Sequence, residues 1–510
     1  MKTLGCGKFT ATMAALTALT HCFLAVLHGG PVAVPDVSAY LSVAQWSAGG
    51  VLPDPLHFFP GYGIILTPLG WLPGNDLHTV ALIVNALLAG GCVIGAASLA
   101  QSYEKGPFIA GVATLVAVLH PSLSTSSRIA WPETVLTAVL LTIALLLRKR
   151  SWLLASLIAG LSLAIHPRAI VIVIALAVLG ALARRVRTVS GGLTIGVLIS
   201  GLCVYMTGAW PWTRIDAATS PRNGYGLAET ISGQWIAITA TSGALASIGL
   251  VVAIQTIWKR PELSAETFLA LSALGMITLG GIALAGSERA DTLLYGRYIG
   301  PWVVPLTVLG LVAIHQRRVT RQSILTVATL TMFSFGVVLV AAEAQTQGAR
   351  RIMTLGLGAI WWLFDGRLIP TLFVAASVAF LGLLSARKCF PVPIAIVVAL
   401  AISSTVSNHH HLHKVGEIAD GQAASSQLVP DAVSCLSHDV SAKSYALWLY
   451  RLQLPDIDHV QVDIAAGERP CSNYVVATDH LRTHCPEAKL LGDEPRAKWS
   501  MWEYPAQSCS

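Results

Sequence analysis

The sequence predicts an all-α polytopic membrane protein that ends in a small extracytoplasmic α/β domain. Of its 510 residues, 54% are hydrophobic and only 12% are charged, and the mean hydropathy is +0.66. This apolar content exceeds what one water-soluble core can bury, whereas about 20 consecutive apolar residues suffice to cross a bilayer. Short basic tracts between the apolar segments are the second observation, and paired cysteines in a polar tail are the third.

The net charge of +7 comes with Lys and Arg concentrated between apolar segments. In a soluble chain a positive charge suggests an acidic partner, but basic residues beside membrane spans mark their cytoplasmic ends. The pattern therefore indicates a multi-pass protein of the plasma membrane, and it predicts no nucleic-acid partner.

The first apolar segment, residues 9–27, follows Lys2 and Lys8 and has no convincing small-residue cleavage site. We therefore interpret it as the first span and not as a cleaved signal. Together with the lengths of the later segments, the basic tracts predict about thirteen transmembrane helices and a cytoplasmic N-terminus. These later tracts stand at residues 148–150, 184–187, 259–260, 317–321 and 387–388. An odd number of spans places the tail outside.

The predicted domains are a membrane domain, residues 1–407, and a C-terminal domain, residues 408–510. Short apolar runs between turn residues in the tail predict a small α/β fold. Four cysteines in about 100 polar residues predict two disulfides in an oxidising compartment, with three pairings open. These cysteines are Cys435, Cys471, Cys485 and Cys509. Basic tracts and cysteines thus place the tail outside by independent arguments.

The predicted first outer loop, residues 30–76, opens with the isolated carboxylate Asp36. Behind it the sequence predicts a short helix on the membrane surface, with Tyr40 toward the lipid and Ser38 and Gln45 toward water. Asp36 is then either the N-cap of this helix or a catalytic base at the membrane face.

An aromatic segment, residues 53–63, follows and is predicted to be a rigid loop. More generally, the predicted outer loops combine aromatic side chains with isolated ionisable ones. The basic residues of the predicted inner turns, by contrast, are interpreted as setting only the orientation of the spans. A charge buried near a membrane is costly and is a functional hypothesis by default. For each arginine, the alternative is an interfacial side chain bound to lipid phosphate.

Four segments resemble the GT-C superfamily of polytopic glycosyltransferases, most closely the actinobacterial branches that include protein mannosyltransferases and arabinofuranosyltransferases. Asp36 with Tyr40, Ala44 and the run 58–62 resembles the first outer loop of that superfamily. The other three segments are residues 131–133, 166–168 and 295–301. They resemble, in this order, the proline-glutamate position, the arginine-proline position and the tyrosine-arginine-tyrosine segment of that superfamily. The likeness covers about the first 310 residues, in order.

This resemblance implies transfer of a sugar, mannose or arabinofuranose, from a polyprenyl-phosphate donor to a cell-envelope glycan, lipid or protein. Such a transfer needs a base for the acceptor hydroxyl, which we assign to Asp36, and cations for the departing phosphate. We assign the phosphate to Arg297 and Arg168 first, and also to Arg128. The predicted substrate-binding residues are Tyr40, His57, Tyr62, Glu133, His166 and Tyr298. Grooves between helices are expected to hold the polyprenyl chain.

Many members of the superfamily carry two adjacent acidic residues in the first outer loop, but here Asp36 is followed by Val37. One carboxylate is a poor site for a divalent cation. We therefore predict no metal and no other cofactor. The four histidines within residues 409–413 are interpreted as a solvated interfacial segment in preference to a metal site.

Two other functions use the same features. A flippase or transporter of lipid-linked sugars also needs many helices and isolated charges, and a glycan polymerase or ligase also needs outer arginines. Transporters often have internal repeats, and none is evident here. The candidate charges gather on one predicted face, which favours the transferase.

Overall fold

A computed structural model of the chain describes residues 2–27, 30–32, 34–53, 56, 59–104, 106–209, 224–257, 264–342, 351–386 and 391–505. Helices make up most of the chain up to residue 420. They are α1 (Lys2–Val26), α2 (Val34–Trp46), α3 (Gly61–Leu66), α4 (Gly74–Tyr103), α5 (Pro107–Val118), α6 (Pro121–Ser126), α7 (Glu133–Arg148), α8 (Trp152–Ile165), α9 (Ile170–Leu182), α10 (Val186–Met206), α11 (Leu227–Thr241), α12 (Leu245–Ile257), α13 (Ser264–Leu284), α14 (Gly296–His315), α15 (Arg321–Ala342), α16 (Gly358–Leu363), α17 (Leu368–Ser385) and α18 (Pro391–Asp420).

Eight helices among the described residues are long and apolar enough to cross a membrane. The pair α11 and α12, bent by 112° at a short break, is a ninth candidate, and three further apolar helices are shorter. The predicted polytopic membrane fold is confirmed. The count of about thirteen spans remains a prediction, because the short helices do not meet the length criterion. The orientation of the termini also remains a prediction.

Close packing between helices depends on small residues. A Cβ atom on Gly160 of α8 would lie 2.8 Å from the Cα of Gly196 on α10. Small residues let membrane helices approach closely where no hydrophobic effect drives them together. These glycines therefore set the contact between the two helices.

The C-terminal domain is built on one mixed sheet. Its elements are β1 (Cys435–Asp439), α19 (Lys443–Gln453), β2 (Asp458–Val462), β3 (Tyr474–Ala477), α20 (Leu481–His484), β4 (Lys489–Asp493) and β5 (Ser500–Glu503). The strand order is β2-β1-β3-β5-β4, with β1 parallel to β2 and β3, and β5 antiparallel to β3 and β4. The predicted small α/β domain is confirmed.

A disulfide joins Cys435 to Cys471, and Cys485 is also disulfide-bonded. Cys509 lies outside the described residues. A disulfide-containing C-terminal domain is therefore confirmed. The predicted division at residue 407 falls inside α18, which continues to Asp420, and Ala419 belongs to the core of the sheet domain. One helix thus connects the two parts.

The predicted short helix at Asp36 is α2, but the predicted exposure of its polar face to water is wrong. Tyr40 packs in the core of the membrane domain, while Val34 packs in the core of the C-terminal domain. Ser38 and Gln45, which were expected to face water, are buried. Helical periodicity defines the two faces of α2, but it does not tell which other segment covers them.

The segment from residue 53 to 63 is only partly a loop. Its last residues begin α3, which lies against α2. A Cβ atom on Gly63 would lie 2.4 Å from the carbonyl oxygen of Tyr40, so this close approach requires glycine. His57 lies outside the described residues.

Two buried histidines link neighbouring strands of the C-terminal domain. Nε2 of His459 lies 2.9 Å from the carbonyl oxygen of Leu454, and Nδ1 of His459 lies 3.0 Å from Nε2 of His438. Because the carbonyl only accepts, His459 carries its proton on Nε2 and accepts from His438 through Nδ1. Burial lowers the pKa of His459 to about 3, and burial likewise lowers the pKa of His438 well below 6.5.

We expect the C-terminal domain to lose stability as the pH falls from about 6.5 toward about 3. In this range the unfolded chain binds a proton at His459 that the folded chain does not bind, so His459 lowers the free energy of unfolding by up to about 1.4 kcal/mol per pH unit. His438 acts in the same direction. Hydrogen exchange of the β1 and β3 amides in the full chain, corrected for intrinsic rates, measures this opening. His459→Gln should reduce the dependence of this opening on pH. His480→Asn, a substitution of an exposed histidine, should leave that dependence unchanged. Equal protection at pH 5 and pH 7 would contradict the expectation.

Candidate functional site

Four charged residues from distant parts of the chain form one hydrogen-bonded network. Nη1 of Arg297 lies 2.5 Å from Oδ2 of Asp36, and Nε of Arg297 lies 2.7 Å from Oε1 of Glu133. The same Oε1 of Glu133 lies 2.6 Å from Nη2 of Arg168. Arg297 therefore bridges both carboxylates, and Glu133 bridges both guanidinium groups. We call these four residues the charge cluster.

Each member of the charge cluster stands at the beginning of a helix. Asp36 lies in the first turn of α2, and Glu133 is the first residue of α7. Carboxylates are favoured there because the N-terminus of a helix carries partial positive charge. Arg297 is the second residue of α14, and Arg168 lies in the 3₁₀ helix Pro167–Ala169 that leads into α9. Helix starts thus bring the four side chains to one place.

His166 shapes the turn that carries Arg168. Its Nδ1 accepts a hydrogen bond from the backbone N–H of Arg168 at 3.2 Å and so caps the 3₁₀ helix. Nη1 of Arg168 also donates to the carbonyl oxygen of Arg297 at 3.3 Å. His166 therefore lies beside the charge cluster, and substrate binding by His166 remains a prediction.

Burial differs sharply within the charge cluster. The side chain of Glu133 is 1% exposed, whereas that of Asp36 is 23% exposed. Buried charges persist only when they are paired and hydrogen-bonded, and here two positive charges balance two negative ones. Asp36 is consequently the most exposed member of the charge cluster.

Aromatic rings cover both arginines. The guanidinium carbon of Arg297 lies 4.2 Å from the ring centre of Trp131, and that of Arg168 lies 5.5 Å from the ring centre of Tyr298. Cations are attracted to the faces of such rings. Tyr298 was predicted as a site residue, but sequence reasoning missed Trp131, although the motif Trp-Pro-Glu contains it.

Met353 is a second residue that the sequence did not indicate. Its sulfur lies 4.0 Å from Nη1 of Arg297 and 3.4 Å from the hydroxyl of Tyr295. A methionine 56 residues beyond Arg297 carries no sequence signal for such a contact.

Tyr40 and Tyr62 pack edge to face, with ring centres 5.5 Å apart, and both are buried. The hydroxyl of Tyr62 donates to the carbonyl oxygen of Ala81 on α4 at 3.5 Å. The two rings therefore hold α2 against the membrane domain and support the position of Asp36. Contact of either ring with a substrate remains a prediction.

Arg128 is not part of the charge cluster. Its Nη2 donates to Nδ1 of His409 at 2.8 Å, and its Nη1 donates to the carbonyl oxygen of Thr405 at 3.3 Å. Arg128 is only 3% exposed, yet no carboxylate of the described residues pairs with it. Arg289, by contrast, forms two hydrogen bonds with Asp291. Arg128 thus remains a buried cation without a counter-charge in this part of the chain.

Solved structures match the chain over nearly its whole length. Two of them are crystal structures of ArnT from Cupriavidus metallidurans, one bound to undecaprenyl phosphate and one in the apo state, with TM-scores of 0.61 and 0.58. Each covers 98% of both chains at 14% identity. The chain has a GT-C-like fold. No protein family model matches it, and no curated protein matches it.

An apolar groove of about 870 Å³ opens on the surface of this GT-C-like fold, between α16, α17 and α18. Trp362, Leu363 and Val406 line it and are largely exposed. His410 and two serines are its polar members. Along α18 the groove residues Val406 and His410 directly follow Thr405 and His409, which contact Arg128. The groove and the contacts of Arg128 therefore use the same turns of α18, at positions that are about 100° apart around the helix axis.

Metal ligands do not converge in the described part of this fold. Among those residues, no three His, Cys, Asp or Glu side chains come close enough to hold an ion. Asp36 and Glu133 instead accept hydrogen bonds from arginines. The absence of a metal cofactor remains a prediction.

Proposed function

We propose that the protein is a glycosyltransferase that moves a sugar from a polyprenyl-phosphate donor to a cell-envelope glycan, lipid or protein on the extracytoplasmic face. The observation that carries this proposal is the charge cluster with one partly exposed carboxylate, Asp36, at its rim. The GT-C-like fold supports it, since a neighbour with this fold was crystallised with undecaprenyl phosphate. From the resemblance of the first 310 residues, the sugar is mannose or arabinofuranose.

Asp36 is the base of the proposed reaction. The acceptor hydroxyl gives its proton to the Asp36 carboxylate, and the acceptor oxygen forms a bond to the anomeric carbon of the sugar. The bond between this carbon and the phosphate oxygen breaks, and its electron pair leaves with the polyprenyl phosphate. Arg297 holds Asp36 in place through the ion pair at 2.5 Å.

The charge balance of the cluster favours Arg128 over Arg168 and Arg297 as the arginine that takes the phosphate. Arg168 and Arg297 are already neutralised by Glu133 and Asp36. An anionic donor therefore needs a further cation, and Arg128 is a buried arginine that lacks a carboxylate among the described residues. In a site shielded from water, such a guanidinium stabilises the charge that accumulates on the leaving phosphate.

The apolar groove supplies the place for the polyprenyl chain. Its lining is mostly aliphatic and aromatic, and it passes the turn of α18 that contacts Arg128. An isoprenoid chain in the groove would thus carry its phosphate toward Arg128. The segment 128–133 also connects Arg128 to Glu133, so one short segment serves both the phosphate and the charge cluster.

The test is transfer of labelled sugar by the purified chain from a panel of synthetic polyprenyl-phosphate sugars, including mannose and arabinofuranose donors. We expect transfer from one member of the panel in the presence of envelope acceptors. Donor translocation across liposomes without any transfer would replace the proposal with a flippase.

Arg128→Gln is expected to weaken binding of polyprenyl phosphate by about tenfold or more, because a charged hydrogen bond contributes about 1.5–3 kcal/mol. Binding of the matching polyprenol, which lacks the phosphate, should not change. Arg367→Gln serves as the control, since Arg367 is an exposed arginine at the start of α17. Equal affinity of wild type and Arg128→Gln for the phosphate would exclude Arg128 from the donor site.

A further inference from the structure

The ring of His409 is held in one protonation form by Arg128. A guanidinium has five N–H donors and no acceptor, so Nδ1 of His409 must offer a lone pair to the 2.8 Å hydrogen bond from Nη2. A neutral imidazole with a free Nδ1 carries its proton on Nε2. His409 therefore presents an N–H donor on the edge of the ring opposite the Nδ1 that accepts from Arg128.

The surroundings of His409 leave this donor available. Among the described residues, no hydrogen-bond partner of Nε2 of His409 occurs. His413 stacks on His409 with ring centres 6.2 Å apart, but its own Nε2 lies 3.3 Å from Oε1 of Glu417. The next residue along α18, His410, lines the apolar groove. The ring of His409 is partly exposed, whereas the guanidinium that it covers is buried.

We propose that His409 is a phosphate-binding residue of the donor site: Nδ1 holds Arg128, and Nε2–H donates to an oxygen of the polyprenyl phosphate. This inference rests on the proposed function and adds a residue to its phosphate site. Arg128 supplies the positive charge. Its hydrogen bond to Nδ1 of His409 fixes the orientation of the ring and therefore of the second donor, Nε2–H. Part of the histidine run is thus a recognition element for an anionic lipid head group.

Two nearly isosteric substitutions separate the roles of the ring nitrogens. In His409→Asn the amide oxygen stands near the Nδ1 position, so the variant still accepts from Arg128 but lacks the outer donor. In His409→Gln the amide nitrogen stands near the Nε2 position, so the variant keeps the outer donor. We expect the dissociation constant of polyprenyl phosphate to rise about tenfold in His409→Asn and about threefold in His409→Gln.

The measurement uses the purified full chain in nanodiscs, with polyprenyl phosphate and the matching polyprenol as the two probes. The polyprenol should bind all variants equally, and thermal unfolding should be unchanged. His411→Asn is the matched control, because His411 lies on the same helix but does not line the groove. Wild-type affinity of His409→Asn for the phosphate would overturn the proposal, and so would an equal loss for both probes.

Arg128→Gln separates this proposal from the function on which it rests. If Arg128→Gln loses the phosphate while both His409 variants bind like wild type, only the role of His409 is wrong. If neither Arg128 nor His409 substitutions change phosphate binding, the donor site lies elsewhere and the proposed phosphate site fails as a whole.

Discussion

Asp36→Asn is expected to lower the rate of sugar transfer by about 10²- to 10⁴-fold, the contribution that a positioned general base makes. The amide has nearly the shape of the carboxylate and still accepts a hydrogen bond from Arg297, but it cannot take up the acceptor proton. The loss should therefore appear in kcat. Binding of polyprenyl phosphate should remain, because Arg128 and the groove are unchanged.

The matched control for this substitution is Asp76→Asn. Asp76 also lies in the first turn of a helix, α4, but it is exposed and makes no ion pair among the described residues. Asp76→Asn should therefore leave the rate of sugar transfer unchanged. If Asp36→Asn transfers sugar at the wild-type rate, another group is the base; if both variants lose activity, the effect arises from helix stability.

Glu133→Gln is expected to destabilise the membrane domain by about 3–5 kcal/mol, because it leaves buried positive charge uncompensated. Arg168 would keep the ring of Tyr298 and the carbonyl oxygen of Arg297 as partners, but no carboxylate within the described residues. Urea unfolding of the purified chain in detergent, followed by tryptophan fluorescence, measures the change. Activity should fall as well, since Arg297 loses one of its two anchors.

A second substitution tests whether charge is the cause. In Glu133→Gln/Arg168→Gln both the carboxylate and the guanidinium that it pairs with are gone, while Arg297 keeps Asp36. The double variant should recover part of the stability that Glu133→Gln loses, which gives a coupling energy for the pair. Additive losses, or a cost below about 1 kcal/mol for Glu133→Gln, would show that water already screens the charge cluster.

Much of the site was accessible to sequence reasoning because each member has a local signature. Asp36 follows a predicted membrane exit, Glu133 follows a proline, and Arg168 and Arg297 adjoin apolar segments on the same predicted side. Trp131 and Met353 were not predicted, since an indole or a thioether in an apolar context has no pattern that separates a packing role from a contact with a cation.

The sequence by itself determined the membrane class, the helices, the small disulfide-containing domain and the candidate residues of the charge cluster. These follow from composition, periodicity and residues next to each other in the chain. Only the tertiary structure decided which of them meet. Arg297 reaches Glu133 across 164 residues, and Arg128 reaches His409 across 281.

The same limit explains why the exposure of the polar face of α2 was predicted wrongly. Its polar face was expected to meet water, yet Ser38 and Gln45 lie buried where the helix joins the membrane domain to the C-terminal domain. Periodicity is set by neighbours within a few residues, whereas burial depends on what packs on the helix from elsewhere. Long-range packing, absent from any local pattern, therefore decided both the partners of the arginines and the surroundings of Asp36.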